Sequence, residues 1–118
     1  MQKNNMKNEP FLRRLSFALA GIKSGFKSER SLRTQGAFAL CAIIALILLQ
    51  PSLVWWALVG VTITLILAAE LINTALENLV DHMHPEQHPR IKIVKDCAAG
   101  AVLVLSFGAV WVGLLALM

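Results

Sequence analysis

The sequence predicts an all-α integral membrane protein with three transmembrane helices and an N-terminal amphipathic surface helix. Three observations support this fold class. The 118 residues are 57% hydrophobic with a mean hydropathy of +0.65. Only 15% of them are charged, whereas a typical soluble domain has about 25%. Three long stretches carry no charged side chain, and the basic residues are distributed unevenly around them, which is typical of a multi-pass membrane protein.

The N-terminal segment divides into a polar tail and an amphipathic helix. Residues 1–10 are polar and predict a disordered tail, and Pro10 suits the first turn of the helix that follows. Residues 11–30 predict a helix that lies on the membrane surface, because apolar residues recur there at helical spacing and basic residues interrupt them. The apolar positions are Phe11, Leu12, Leu15, Ala18, Leu19, Ile22 and Phe26.

Three spans are predicted at about residues 34–49, 53–80 and 92–117. A helix needs about 20 residues to cross the hydrocarbon core, and the first uncharged stretch approaches this length if its helix starts near Thr34. Together with the surface helix, the spans form one membrane domain over residues 11–118.

The basic residues predict the orientation of these spans. Eight of the eleven Lys and Arg residues precede the first span, and the other three lie between the uncharged stretches of the second and third spans. The positive-inside rule then places the N-terminus and the 82–95 loop in the cytoplasm and the C-terminus outside, in the inner membrane of a bacterium. The net charge of +4 indicates attraction to anionic lipid headgroups rather than to nucleic acid.

Polar side chains form a stripe on the second span. Glu70, Asn73, Glu77 and Asp81 fall within roughly 80° of one helical face, with Thr74 beside them. Ionisable groups at membrane depth are costly, and they usually face a protein interior or a wet cavity and mark function. The stripe is therefore the strongest candidate for a functional site.

The depth of each carboxylate suggests its chemistry. Glu70 and Glu77 lie about 10 Å apart along the helix axis, which is too far to share one proton. Glu77 and Asp81, at the shallow end, suit Mg²⁺, which binds one or two carboxylates together with substrate phosphates. The deeper Glu70 suits general-base catalysis, and Asn73 is expected to hold Glu70 in place.

Other classes of protein remain open at this point. The stripe could merely join helices within an oligomer, as in a non-catalytic assembly subunit. A proton-coupled transporter also uses membrane carboxylates, although an isolated acid would be more typical of it. The loop after the second span contains His82, His84 and His88, but their spacing matches no strong metal signature. The chain has no P-loop sequence, and Cys41 and Cys97 suit packing better than a disulfide.

The motif E70-LINTALENLVD-81 resembles the signature of the small prokaryotic integral-membrane diacylglycerol kinases, a family that includes undecaprenol kinases. The resemblance extends over residues 13–115. It includes Glu29 with Arg33 before the first span, Glu86-x-His88 in the loop, and Lys95-Asp96 at the start of the third span.

The resemblance implies an ATP-dependent lipid kinase that uses Mg²⁺ and assembles as a homotrimer with active sites at subunit interfaces. Glu70 would act as the base and Asn73 would support it, while Glu29 and Glu77 would hold Mg²⁺. Glu29 would come from one subunit, and Glu70 with Glu77 from another. The implied nucleotide-binding residues are Phe17, Glu29, Glu77, Glu86, His88, Lys95 and Asp96. The implied lipid-substrate residues are Glu70, Arg33 and Ala99.

Several positions depart from the pattern of the diacylglycerol enzymes. Pro10 stands where several relatives have an arginine, Phe17 where a tyrosine is usual, and Ala99 where a serine is frequent. The segment K95-DCAAGAV-102 looks closer to the undecaprenol kinases. Diacylglycerol, converted to phosphatidic acid, is the predicted substrate, and undecaprenol is the alternative.

Overall fold

The computed structural model of the chain describes residues 8–118. It contains four α-helices: α1 (Phe11–Ser28), α2 (Arg30–Leu49), α3 (Leu53–Met83) and α4 (Pro89–Leu117). No strand occurs in that part of the chain, and α2, α3 and α4 are each long and apolar enough to cross a membrane. The predicted all-α fold with three such helices after an amphipathic helix is confirmed. Residues 1–7 of the expected disordered tail lie outside the described residues.

The helix predicted over residues 11–30 ends at Ser28, because the backbone of Glu29 is extended, with φ −109° and ψ 118°. We call residues 28–31 the elbow between α1 and α2. Arg33 stabilises it by donating from Nη1 to the carbonyl oxygens of Phe26 and Lys27, at 3.0 and 2.9 Å. These carbonyls belong to the last turn of α1, where the helix itself supplies no partner. The guanidinium therefore caps α1 and fixes its angle to α2.

Glycine permits the close packing of α1 against the other helices. Gly25 is buried, and a Cβ atom there would lie 2.9 Å from Cδ2 of Leu32 and 3.1 Å from Cδ2 of Leu71. Leu32 is fully buried, with 0% of its surface exposed. The absence of a side chain at position 25 thus brings α1 onto both α2 and α3 beside the elbow.

The helix α3 is longer than a membrane requires. Its 31 residues extend over about 46 Å, whereas the hydrocarbon core is about 30 Å thick. It starts after a tight turn at Gln50, whose φ of 45° is left-handed, and it continues to Met83, beyond the predicted end at Val80. The turns that follow Glu70 therefore extend toward the α3–α4 loop, residues 84–88, which we call the loop end of the bundle.

The α3–α4 pair provides the most extensive helix packing, followed by the packing of α2 on α3. A groove of about 460 Å³ remains between α2 and α4, with α3 at its base. Small side chains line both of its walls: Ala39, Ala42 and Ala45 on α2, and Ala109, Gly113 and Ala116 on α4. Large apolar side chains, including Phe38 and Trp111, are more than half exposed, as expected of helices that face lipid or a neighbouring subunit.

Candidate active site

The polar stripe of α3 includes a buried carboxylate. Only 4% of the surface of Glu70 is exposed, and its Oε2 accepts a hydrogen bond of 3.1 Å from the Ser31 hydroxyl at the start of α2. Thr74, one turn further along α3, is also buried, with 8% exposed. A buried ionisable group is stable only when other groups compensate for its lost hydration. The elbow supplies one such group to Glu70.

Asn73 presents a second buried polar atom close to Glu70 in the sequence. Its Oδ1 is buried and has no hydrogen-bond partner among residues 8–118. A buried carbonyl oxygen without a donor costs about 1–3 kcal/mol. The atom is therefore suited to accept a hydrogen bond from a bound molecule or a neighbouring chain. No hydrogen bond joins Asn73 to Glu70 in the described part of the chain, and its supporting role stays a prediction.

The two carboxylates predicted to hold Mg²⁺ are Glu29 on the elbow and Glu77 on α3, and both are partly exposed. Carboxylate oxygens are suitable ligands for this cation. Within residues 8–118, however, no group of three or more His, Cys, Asp or Glu side chains is close enough to hold a metal ion. Their assignment to Mg²⁺ stays a prediction, in which substrate phosphates would supply further ligands.

The Ser31–Glu70 bond also bears on the expected division of the site between subunits. Glu29 lies two residues before Ser31, and two residues of extended chain span only about 7 Å. The elbow that carries Glu29 therefore lies beside Glu70 of the same chain. This proximity argues against the expectation that Glu29 and Glu70 come from different subunits.

Side chains at the loop end form local pairs. Lys95 Nζ of α4 lies 2.5 Å from Asp81 Oδ1 of α3, and Lys92 Nζ lies 2.6 Å from Asp96 Oδ2 one turn away. The Lys95–Asp81 pair joins the ends of the two helices. It also brings the lysine predicted to bind nucleotide next to the last residue of the polar stripe.

The loop residues predicted to bind nucleotide lie at the start of α4. His88 caps this helix, because its Nδ1 accepts a hydrogen bond of 3.1 Å from the Arg90 backbone N–H. Nδ1 of His84 lies 2.8 Å from the Glu86 carbonyl oxygen, and the Glu86 residue itself is exposed. These contacts fix the loop and leave the Glu86 side chain accessible. The roles of Glu86 and His88 in binding the nucleotide stay predictions.

The remaining predicted site residues lie on three different helices. Phe17 of α1 is half-buried beneath the Arg13 guanidinium, which lies 5.7 Å from the ring centre. Ala99 is exposed on α4. Arg33 caps α1, as described above, so its structural contact is with backbone carbonyls. A role of Arg33 or Ala99 in binding the lipid stays a prediction.

A groove lies between α1 and α3, and Leu71 and Thr74, which neighbour Glu70 on α3, line it, whereas Glu70 itself does not. The volume of the groove is about 490 Å³. The lining residues are Ala18, Gly21, Ile22, Ser24, Gly25 and Ser28 of α1 with Leu71, Thr74, Ala75 and Asn78 of α3. We call it the α1–α3 groove.

Sequence reasoning missed Ser31. Its hydroxyl contacts Glu70 across 39 positions of the chain, and only the tertiary packing of α2 on α3 brings the two together. The one available signal was a serine within the charged segment E29-RSLR-33, which is too weak to single it out.

These features define a class of protein: a small multi-pass membrane protein with a buried carboxylate at the junction of its surface helix and its spans. The description "Prokaryotic diacylglycerol kinase" belongs to a family model that matches residues 16–117. The chain therefore belongs to the prokaryotic diacylglycerol kinase family, and the predicted membership is confirmed.

Curated relatives include proteins with two different names. The chain is 39% identical over 98 residues to a diacylglycerol kinase of Synechocystis sp., covering 82% of this chain and 56% of the relative. It is 33% identical over 105 residues to the undecaprenol kinase of Bacillus subtilis, covering 89% of this chain and 85% of the relative. The diacylglycerol kinase of Escherichia coli is 26% identical over 94 residues, covering 80% and 77%. The match thus spans little more than half of the Synechocystis protein.

Proposed function

We propose that the protein is an ATP-dependent lipid kinase that transfers the γ-phosphate of ATP to the hydroxyl of diacylglycerol, forming phosphatidic acid. The observation that carries the proposal is the buried Glu70 carboxylate, whose neighbours on α3, Leu71 and Thr74, line the α1–α3 groove, in a chain of this family. A lipid kinase needs a base at the depth of the lipid hydroxyl and an apolar surface for the acyl chains. Glu70 and the α1–α3 groove provide these two features.

In the proposed reaction, Glu70 accepts the proton of the lipid hydroxyl as the oxygen attacks the γ-phosphorus. The new bond joins the lipid oxygen to phosphorus, and the bond from phosphorus to the β,γ-bridging oxygen breaks, so ADP leaves with that electron pair. Oδ1 of Asn73 is positioned on the same helix face to accept a hydrogen bond from a bound group. Phosphoryl transfer depends mainly on positioning and charge stabilisation, which these residues would provide without a P-loop.

The nucleotide would bind at the loop end. Glu29 and Glu77 would hold Mg²⁺ between the base and the loop end, and the cation would neutralise charge on the phosphates. Lys95 would contact a phosphate, with Asp81 orienting its ammonium group through their 2.5 Å contact. Glu86, His88, Asp96 and Phe17 would complete the nucleotide site. Consistent with this arrangement, α3 extends about 20 Å from Glu70 to its end at Met83, which takes the polar stripe out of the hydrocarbon core.

The charge distribution supports a location in the bacterial inner membrane. The N-terminus and the α3–α4 loop would face the cytoplasm, where ATP is available, and the C-terminus would lie outside. The transporter and the non-catalytic subunit are less well supported, because the whole span from residue 16 to residue 117 matches a kinase family.

We also propose that three copies assemble, each with its active site near the interface with a neighbour. The groove between α2 and α4 supports this, because its small side chains would allow the helix of a second copy to approach closely. Within each copy, the Ser31–Glu70 bond keeps the elbow and the base together.

A subunit-mixing experiment tests this arrangement. Co-assembled Glu29→Gln and Glu70→Gln subunits are expected to be no more active than either parent, because each site would contain one altered residue whichever chains surround it. Lipid phosphorylation would be measured on mixed oligomers isolated through two different affinity tags. Recovery of about a quarter or more of the parent rate would contradict a site in which Glu29 and Glu70 belong to one chain.

The choice of lipid is tested by comparing the two candidate substrates directly. The purified protein, assayed in mixed micelles with ATP and Mg²⁺, is expected to phosphorylate diacylglycerol with the higher kcat/KM. A higher kcat/KM for undecaprenol would establish the alternative, to which the 33% identity with the Bacillus subtilis enzyme points. The free alcohol octanol in identical micelles serves as the control for nonspecific transfer.

A further inference from the structure

Among the serine and threonine hydroxyls that donate a hydrogen bond in the described helices, that of Ser31 has a different kind of acceptor. The others donate to a carbonyl oxygen three or four residues earlier in their own helix. These are Ser16, Ser28, Thr34, Thr62, Thr64 and Ser106. Ser31 instead donates to Glu70 Oε2, on a different helix.

The elbow explains why this hydroxyl is available. Ser31 lies in the first turn of α2, and the carbonyl four residues before it belongs to Lys27, in the last turn of α1. That carbonyl accepts a hydrogen bond of 2.9 Å from Arg33 Nη1, and the extended backbone of Glu29 separates the two helices. Because α2 begins at Arg30, no carbonyl three or four residues before Ser31 belongs to the same helix, and the usual bond from a serine to its own helix is not available. The Ser31 side chain turns toward α3 instead.

We propose that Ser31 is a positioning residue for the base Glu70, and this inference rests on the proposed function. By donating to Oε2, Ser31 holds the carboxylate in one orientation and leaves Oε1 for the proton of the lipid hydroxyl. A glutamate side chain has several rotamers, and fixing one of them in advance removes an entropic cost from the reaction. The bond also compensates in part for the lost hydration of a carboxylate that is almost fully buried.

The same short segment would thereby connect two parts of the site. The elbow carries Glu29, the proposed Mg²⁺ ligand, and, two residues later, Ser31, the partner of the base. Arg33 stabilises the elbow by donating hydrogen bonds to the last turn of α1. The elbow thus sets the position of the base relative to the nucleotide. Sequence motifs on α3 alone would not reveal this connection.

The test compares four variants with the parent in the lipid kinase assay. Ser31→Ala is expected to lower kcat by roughly tenfold, the effect of losing one hydrogen bond to a charged group, with little change in KM for ATP or lipid. Ser31→Thr keeps the hydroxyl and should retain most of the activity. Thr34→Val is the matched control, because the Thr34 hydroxyl donates to the Arg30 carbonyl of its own helix, and it should leave kcat unchanged. Ser31→Cys replaces the hydroxyl by a thiol, a weak donor, and substitutes for Ser31→Ala if the alanine variant does not fold.

A second comparison tests whether Ser31 acts through Glu70. Glu70→Asp retracts the carboxylate by about 1.5 Å and should lose the contact with Ser31. Adding Ser31→Ala to Glu70→Asp is therefore expected to cost much less than it costs in the parent. If the contribution of Ser31 were purely structural, Ser31→Ala would lower kcat by the same factor in the parent and in Glu70→Asp.

Three results would overturn the inference. They are full activity of Ser31→Ala, a Ser31→Thr variant as impaired as Ser31→Ala, and equal losses in the parent and Glu70→Asp backgrounds. If Glu70→Gln is inactive and Ser31→Ala fully active, only the role of Ser31 is wrong. If Glu70→Gln is fully active, the proposed function of Glu70 fails, and the inference about Ser31 fails with it.

Discussion

Replacing Glu70 by glutamine is expected to lower kcat for lipid phosphorylation by roughly 10²-fold or more. The amide has nearly the same volume and can still accept the hydrogen bond from Ser31, so the packing of α2 on α3 should persist. It cannot accept the proton of the lipid hydroxyl. The loss should therefore appear in kcat, while helical content by circular dichroism and elution in detergent stay those of the parent.

Glu9→Gln is the matched control for this substitution. Glu9 lies before α1 and pairs with Arg13 at 3.5 Å, and the loss of this single i,i+4 ion pair should leave the rate within about twofold of the parent. Near-normal kinase activity of Glu70→Gln would remove Glu70 from its proposed role as the base.

The second large effect is expected at the proposed metal ligands. Glu29→Gln and Glu77→Gln should each raise the Mg²⁺ concentration needed for half-maximal rate by roughly tenfold or more, because each removes a carboxylate from a hard-cation site. High Mg²⁺ should partly restore the rate of both variants. A titration of lipid phosphorylation against Mg²⁺ at saturating ATP measures the effect.

The titration also separates metal binding from structural damage. A variant that had merely lost packing would have a lower rate at every Mg²⁺ concentration and no rescue. If both variants keep the parent's Mg²⁺ dependence, Glu29 and Glu77 do not bind the metal, and the nucleotide must be held in another way.

Hydrophobicity and periodicity predicted the helices because both follow directly from the membrane. A continuous apolar stretch identifies a helix that crosses hydrocarbon, and all three such stretches are helical. The ends were less predictable. Hydropathy marks where the membrane begins, whereas helix ends depend on capping contacts such as His88 with Arg90. The helices α2 and α4 accordingly begin several residues before the apolar stretches do.

The break at Glu29 illustrates a different limit. Apolar periodicity runs from Phe11 to Phe26 and then merges with the polar start of α2, so the sequence predicted one helix to residue 30. The extended backbone at Glu29 depends on Arg33 capping α1 and on the contact of Gly25 with Leu32. These are tertiary contacts that no local pattern reveals.

The site was predictable to the extent that it lies on one helix. The polar face of α3 identified Glu70 from the cost of placing a carboxylate in an apolar helix, and that residue is buried as expected. The partner of Glu70 is on α2 and needed the folded chain to find it. The same holds for the pairing of Lys95 with Asp81, which joins two helices at the loop end.

The most direct test of the account is the transfer of labelled phosphate from ATP to lipid by the purified protein. Diacylglycerol and undecaprenol would be assayed in parallel in mixed micelles, with ADP release measured in the same samples. A lipid kinase with Glu70 as its base should give label in the lipid fraction, about one ADP per phosphorylated lipid, and loss of both signals in Glu70→Gln. Folded protein that labels neither lipid, or that releases ADP without labelling lipid, would contradict the assignment as a lipid kinase.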